Sequence, residues 1–132
     1  MKLLEVAGKS MSPLLKPGDR IQVRRVKPAQ IRWGDIIVYS RRAPGGNQLK
    51  VHRVLFRQET LRGPVFWTKG DWDRRLDGPV PSFSVIGIVT ARERNGDLKL
   101  LHTPLGKAQT LAMAGIGTAT AVLWRLVIAS SH

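Results

Sequence analysis

Leu49-Lys50-Val51-His52-Arg53-Val54-Leu55 is the run that decides the fold class. Side chains of a strand alternate between its two faces. Leu49, Val51, Arg53 and Leu55 therefore share one face, and Lys50, His52 and Val54 share the other. The run predicts a strand, and its neighbours repeat the theme. Runs rich in β-formers occupy residues 20–26, 35–39, 65–68, 83–90 and 98–101. Turn signals separate them: Pro17-Gly18-Asp19, Trp33-Gly34-Asp35, Gly63-Pro64, Gly78-Pro79 and Asn95-Gly96-Asp97. Short strands punctuated this way predict a mainly β domain, a sandwich or partly open barrel. Asn95-Gly96-Asp97 predicts a tight hairpin turn. Pro44-Gly45-Gly46-Asn47 predicts a flexible loop tip.

The chain has 132 residues, enough for one domain with a core of its own. Hydrophobic residues make up 42% and charged residues 23%, a globular balance. Twenty-two Lys and Arg against nine Asp and Glu leave a net charge of +13. Such a surface favours an anionic partner: nucleic acid, an anionic membrane face or an acidic substrate. Cysteine is absent, which excludes disulfides, thiolate catalysis and Cys-ligated metal sites. No metal site and no cofactor are expected.

Beyond Pro104 the composition turns alanine-rich. Residues 110–124 carry no charge, and Arg125 is the one charge before Ala129. The expected division is a β domain over residues 1–104 and a C-terminal helical segment over 105–132. That segment barely reaches the roughly 20 apolar residues a spanning helix needs. Membrane association through it and a helix buried against the sheet are both compatible with the composition. At the other end, Glu5 interrupts the apolar pair Leu3-Leu4, so no signal peptide is expected. With Ser10 so close to Met1, no spanning helix is expected before it.

Three stretches bear on chemistry. Gly8-Lys9-Ser10-Met11-Ser12-Pro13 invites a phosphate-loop reading, but that loop needs a glycine where Leu3 stands. Ser10 lies between a short strand and a proline-bounded turn, and taken alone it is an ordinary turn or capping serine. A serine hydroxyl becomes a nucleophile when a base removes its proton. Of His52, His102 and His132, His52 is the one held on a strong strand pattern. Taken alone, it reads as a packing histidine. Asp71, Asp73 and Asp77 fall within seven residues, where each singly reads as a turn former or surface ion pair. A carboxylate among them would brace a histidine base.

The pieces fall in a recognisable order. Gly8-x-Ser10-Met11-x-Pro13 is followed by Gly18-Asp19 and by Gly34-Asp35-Ile36-Ile37-Val38-Tyr39. Then come Val51-His52-Arg53-Val54, Lys69-Gly70-Asp71 with Asp77 six residues on, and Ile86-Gly87-Ile88-Val89. Across residues 5–90 this resembles the signal peptidase I superfamily, which includes the self-cleaving LexA-type repressors. It is most similar to the archaeal and endoplasmic-reticulum branch, which carries histidine where most bacterial members carry a lysine base. The resemblance implies a multi-sheet β domain and a serine endopeptidase that cleaves an extended peptide or preprotein after small residues. It implies Ser10 as nucleophile and oxyanion N–H donor, His52 as general base and Asp77 as third catalytic residue. Met11 and Pro13 would contact substrate, and Asp71 would order its loop.

The sequence departs from that pattern in three places. Secretory signal peptidases carry Ser-Gly-Ser-Met, whose first serine assists the oxyanion; Gly8 and Lys9 stand there here. Loss of such a donor costs roughly 10²–10³ in turnover elsewhere, although LexA-like and mitochondrial inner-membrane members also have glycine there. No counterpart of the usual N-terminal anchor is expected before Ser10. Lys50 shares a strand face with His52 and is a competing base if burial lowers its pKa.

Two other readings stand beside the secretory one. The first is a soluble cytoplasmic processing or self-cleaving peptidase of LexA type. The second is a module without chemistry that binds nucleic acid or an anionic membrane through Arg20, Arg24, Arg25, Lys27, Arg32, Arg41 and Arg42 with Trp33, Trp67 and Trp72. That module leaves the order of Ser10, His52 and Asp77 unexplained, so nucleic acid is the disfavoured partner.

Overall fold

The computed structural model describes residues 2–101 and the backbone of Arg125–Ile128. The chain is mainly β. Its strands are β1 (Lys2–Val6), β2 (Arg20–Arg24), β3 (Ile36–Ala43), β4 (Gly46–Thr60), β5 (Gly63–Lys69), β6 (Pro79–Pro81), β7 (Val85–Arg94), β8 (Asp97–Leu100) and β9 (Arg125–Ile128). Single 3-10 turns occupy Pro28–Gln30 and Ser82–Ser84. The strands follow one hydrogen-bonded path, β6-β5-β4-β3-β7-β2-β1-β9, and β8 pairs with β7 off that path. The several sheets expected from the sequence are thus one continuous network.

Continuity comes from β7. Its first part pairs with β3 through Gly87 and Ile88, and its second part pairs with β2 and β8. Register shifts between Val38 and Tyr39 and between Gln22 and Val23 accompany the change of partner. Such bulges bend a strand and strengthen its twist.

The β3 side chains separate two cores. Ile36 and Val38 join Leu4, Met11, Leu15, Ile21, Val51 and Val89, while Ile37 and Tyr39 join Ile31, Val54, Phe66, Val80 and Ile88. A strand buried on both faces reads as a continuous apolar run, which is how Ile36-Ile37-Val38-Tyr39 reads. The centre of β4 behaves alike, since Lys50, Val51, His52 and Val54 are all buried. Ile37 lies opposite His52 in the register, and Tyr39 lies opposite Lys50.

Turn chemistry differs from expectation at one end of this hairpin. Ala43 pairs with Gly46, so Pro44-Gly45 is a tight connection rather than a flexible tip. At Asn95-Gly96 the expected hairpin is present. Arg94 pairs with Asp97, and Asn95 and Gly96 have φ of 52° and 84°, as a type I′ turn requires.

The expected C-terminal helix falls on residues 105–132, most of which lie outside the described residues. At Arg125–Ile128 a strand stands instead, parallel to β1 with Leu3 opposite Arg125. Among the described residues no helix is long and apolar enough to cross a membrane.

Gly87 explains one fixed point of the sequence pattern. A Cβ there would fall against the Arg24 carbonyl oxygen and 2.9 Å from Val23 Cγ1. Gly87→Ala is expected to destabilise the fold by about 1–3 kcal/mol, read as a lower urea midpoint. Gly78→Ala, with nothing within 4 Å of its Cβ, should stay within about 0.5 kcal/mol of wild type.

Candidate active site

Ser10 lies on the turn between β1 and β2. Backbone bonds from Ser12 N–H to Lys9 O (3.0 Å) and from Leu15 N–H to Met11 O (2.9 Å) shape this turn. Asp19 closes it. Its carboxylate accepts the Lys16 N–H at 2.7 Å and pairs with Arg94 at 2.7 and 2.8 Å. Burial pushes the Asp19 carboxyl up in pKa, but these hydrogen bonds and the Arg94 charge outweigh it, so the net shift is downward. Arg94 also donates to the carbonyls of Pro13 and Leu14, and Arg92 donates to Leu14 O at 2.8 Å. The turn is thereby fastened to the far end of β7.

His52 comes from the middle of β4, and Asp77 from residues 70–78 between β5 and β6. Ser10 Oγ is 3.0 Å from His52 Nε2, and His52 Nδ1 is 2.5 Å from Asp77 Oδ2. Ser10 and His52 are both fully buried. A carboxylate accepts and does not donate. In the neutral ring the proton then sits on Nδ1, and Nε2 is the acceptor facing the Ser10 hydroxyl.

Asp77 Oδ2 accepts two more hydrogen bonds, from Tyr39 Oη at 3.0 Å and Thr68 Oγ1 at 2.5 Å. The Asp77 N–H donates to Thr68 O at 2.8 Å. Burial pushes the Asp77 carboxyl up, but bonds from His52, Thr68 and Tyr39, with the His52 charge, overcome it and hold the pKa below the usual carboxylate value. Burial raises the pKa of the Tyr39 phenol, so Tyr39 stays protonated as a donor. Tyr39 and Thr68 are the supporting residues that sequence reasoning missed. Tyr39 was visible only as the end of an apolar strand, and Thr68 only as a β-former.

The other acids of this loop divide the work. Asp71 accepts a two-pronged contact from Arg53 at 2.9 and 2.8 Å, and Arg53 also donates to Gly34 O. Asp71 thus ties the loop to β4, as its expected ordering role requires. Asp73 approaches from the serine side, with Oδ2 3.7 Å from His52 Nε2. Lys69 Nζ donates to the carbonyls of Gly70 and Asp73. Trp72 N–H donates to Ser10 O at 2.8 Å. A Cβ at Gly70 would lie 2.7 Å from Ser10 O and 2.5 Å from Asp73 Oδ2. Residues 70–77 therefore pack directly on the serine turn.

Met11 and Pro13 have different surroundings. Met11 was expected to line a substrate cleft, but it is 1% exposed and packs in the core with Leu15, Val38 and Val51. Its sulfur accepts the Asp71 N–H at 3.3 Å, so it joins the serine turn to the acid loop. Hydrophobic core packing claims the side chain that was expected to face substrate. Pro13 is exposed. Among the basic and aromatic residues, Arg20 pairs with Glu93, and Trp67 stacks on Phe56 with ring centroids 5.5 Å apart. Trp33 and Trp72 are exposed. Among the described residues no cluster of His, Asp and Glu is placed to hold a metal ion.

No protein-family model, curated protein or solved structure matches this chain. The geometry therefore stands by itself. It holds an imidazole with one nitrogen fixed by a carboxylate and the other directed at an alcohol, an arrangement able, with the ring neutral, to deprotonate that alcohol.

The depressed Asp77 carboxyl links stability to pH. An acid whose folded pKa lies below its unfolded value adds stability above the unfolded value, which is lost as pH falls through the folded one. Wild type should exceed Asp77→Asn in stability at neutral pH. The gap should shrink as pH drops below the ordinary carboxylate value of 3.8. Urea unfolding of both proteins across that range checks the direction.

Proposed function

We propose that the chain is a serine endopeptidase of the type found in the signal peptidase I superfamily. The observation that supports this most is the continuous relay Ser10 Oγ–His52 Nε2 and His52 Nδ1–Asp77 Oδ2, at 3.0 and 2.5 Å. The order of motifs along the sequence supports it independently.

In this reading the Ser10 hydroxyl gives its proton to His52 Nε2 as Oγ attacks the scissile carbonyl carbon. Asp77 holds the ring and stabilises the imidazolium that forms. The Ser10 backbone N–H donates to the oxyanion, and no side chain at Gly8 assists it. Collapse of the tetrahedral intermediate breaks the C–N bond, and the leaving amine takes the proton from Nε2. Water then attacks the acyl-enzyme, with His52 accepting its proton, and frees Ser10. By resemblance, small residues occupy the first and third positions before the cut, and the substrate is an extended peptide or preprotein.

In this reading an extended peptide pairs with β4 beside the relay. The pairing of β4 with β5 begins at Arg53, opposite Lys69. Over residues 46–52, β4 pairs with β3 alone among the described residues. Residues 46–49 of that edge are at least partly exposed, and an unpaired strand edge is a template for a peptide backbone. The fully buried Ser10 requires the contact between Trp72 and the serine turn to open before a carbonyl carbon reaches Oγ, while Asp77 keeps its bond to His52. An anionic membrane surface or a cytoplasmic pool are both compatible settings, and the C-terminal segment that would decide between them lies outside the described residues.

Ser10→Ala and His52→Ala should each remove peptide cleavage and fluorophosphonate labelling, by at least about 10³-fold, with the fold retained by circular dichroism. Cleavage that survives His52→Ala and vanishes in Lys50→Ala would transfer the base role to lysine. Strongly salt-dependent nucleic-acid binding without any labelling would favour the non-catalytic module.

A further inference from the structure

The face of β4 that carries His52 holds a second buried polar side chain. Lys50 is 8% exposed and lies opposite Tyr39 in the strand register. Among the described residues its ammonium has no hydrogen bond or ion pair. Burying an ammonium costs free energy unless an opposite charge or an acceptor offsets it. Lys50 Nζ is not among the buried polar atoms that lack a partner, so its ammonium keeps contact with the space beside it.

Lys50 borders a cavity of about 410 Å³. Arg41, Arg74 and Arg75 add three more cations to its wall, against the acids Asp73 and Asp77. Both acids are directed toward His52, at 3.7 Å from Nε2 and 2.5 Å from Nδ1. Four cations against two acids leave the cavity positive, and Trp72 supplies an apolar wall. The cavity shares Asp73 and Asp77 with the surroundings of His52, so an occupant lies beside the relay.

We infer that this cavity is an anion subsite that takes one carboxylate of the substrate against Lys50. The carboxylate belongs to an Asp or Glu side chain near the scissile bond, or to the peptide's own C-terminus. The substrate identity rests on the peptidase reading, whereas the capacity to bind a carboxylate does not. Exposed arginines attract any anion at low salt and are screened within about a Debye length at roughly 0.15 M. Lys50 is buried, so its contribution survives there, and it supplies the selectivity.

Two measurements on the full chain separate the parts. The first needs no turnover. Acetyl-Glu-amide, acetyl-Gln-amide and acetyl-Gly with a free carboxylate are titrated into ¹⁵N-labelled Ser10→Ala protein at roughly 0.15 M salt. Saturable shifts around residues 50 and 72–77 are expected with a carboxylate ligand and not with acetyl-Gln-amide. Preference between acetyl-Glu-amide and acetyl-Gly identifies the source of the carboxylate. Adding Lys50→Gln should weaken binding by at least about ten-fold, and Lys50→Met serves if the first variant loses its dispersed spectrum. Equal shifts with acetyl-Gln-amide, or binding unchanged by both Lys50 variants, overturn the subsite.

The second measurement compares cleavage of acidic and isosteric amide peptides by the wild type. The ratio of kcat/KM should favour the acidic member and collapse in Lys50→Gln, mainly through KM. Loss of turnover on acidic and neutral peptides alike, with kcat affected first, would put Lys50 in the chemistry and overturn its role as a subsite. A wild type that cleaves neither peptide counts against the peptidase reading alone, and the titration still decides the subsite.

Discussion

One oxygen atom, Asp77 Oδ2, organises the centre of this protein. It accepts from His52, Tyr39 and Thr68, which come from β4, β3 and β5. Three adjacent strands thus direct donors at a single acceptor. A buried carboxylate is costly, and its cost is offset only when its acceptor capacity is filled. Filling it fixes the imidazole ring, orders the loop that carries Asp77 and joins the strands that supply the donors. Removal of any one donor leaves a charged oxygen less satisfied in a low-dielectric setting. The chemistry proposed for Ser10 therefore depends on the same contacts that hold the sheet's central face together.

The serine turn is fastened by a different set of charges. Arg94 and Arg92 of β7 grip Asp19 and the carbonyls of Pro13 and Leu14. Met11 anchors the turn from below, within the core that Val51 and Val38 share. One face of β4 thus supports the turn through Val51, while its other face presents His52. A shift of the pairing by one residue would exchange those faces. The register of β3 with β4 is consequently a requirement of the site as well as of the core.

The mainly β character was legible because turn residues and short β-forming runs alternate along the sequence. That Ser10, His52 and Asp77 belong together was suggested by a resemblance in the order of short motifs, with His52 on a rigid strand. The roles of Tyr39 and Thr68 were not, because each looks like an ordinary strand residue until the third dimension brings it to Asp77. Asp73 was visible as one of three clustered acids, but its direction depends on how residues 70–77 fold over Ser10. Met11 misled because its neighbourhood in sequence is the site, whereas its neighbourhood in space is the core. Pro44-Gly45 misled because a glycine-rich tetrapeptide suits both a slack loop and a tight hairpin. The pairing of Ala43 with Gly46 resolves that choice.

The hydrogen bond from Trp72 N–H to Ser10 O has an implication for selectivity. Whatever reaches the alcohol must first separate two loops that already satisfy one another, and the separation weakens every ligand by the same factor. The factor is common to all of them, so it lowers affinities without changing their ranking. A partner gripped at several points has more binding free energy with which to offset it. The latch between Trp72 and the serine turn therefore sets a threshold, and preference among partners is left to the surfaces around it.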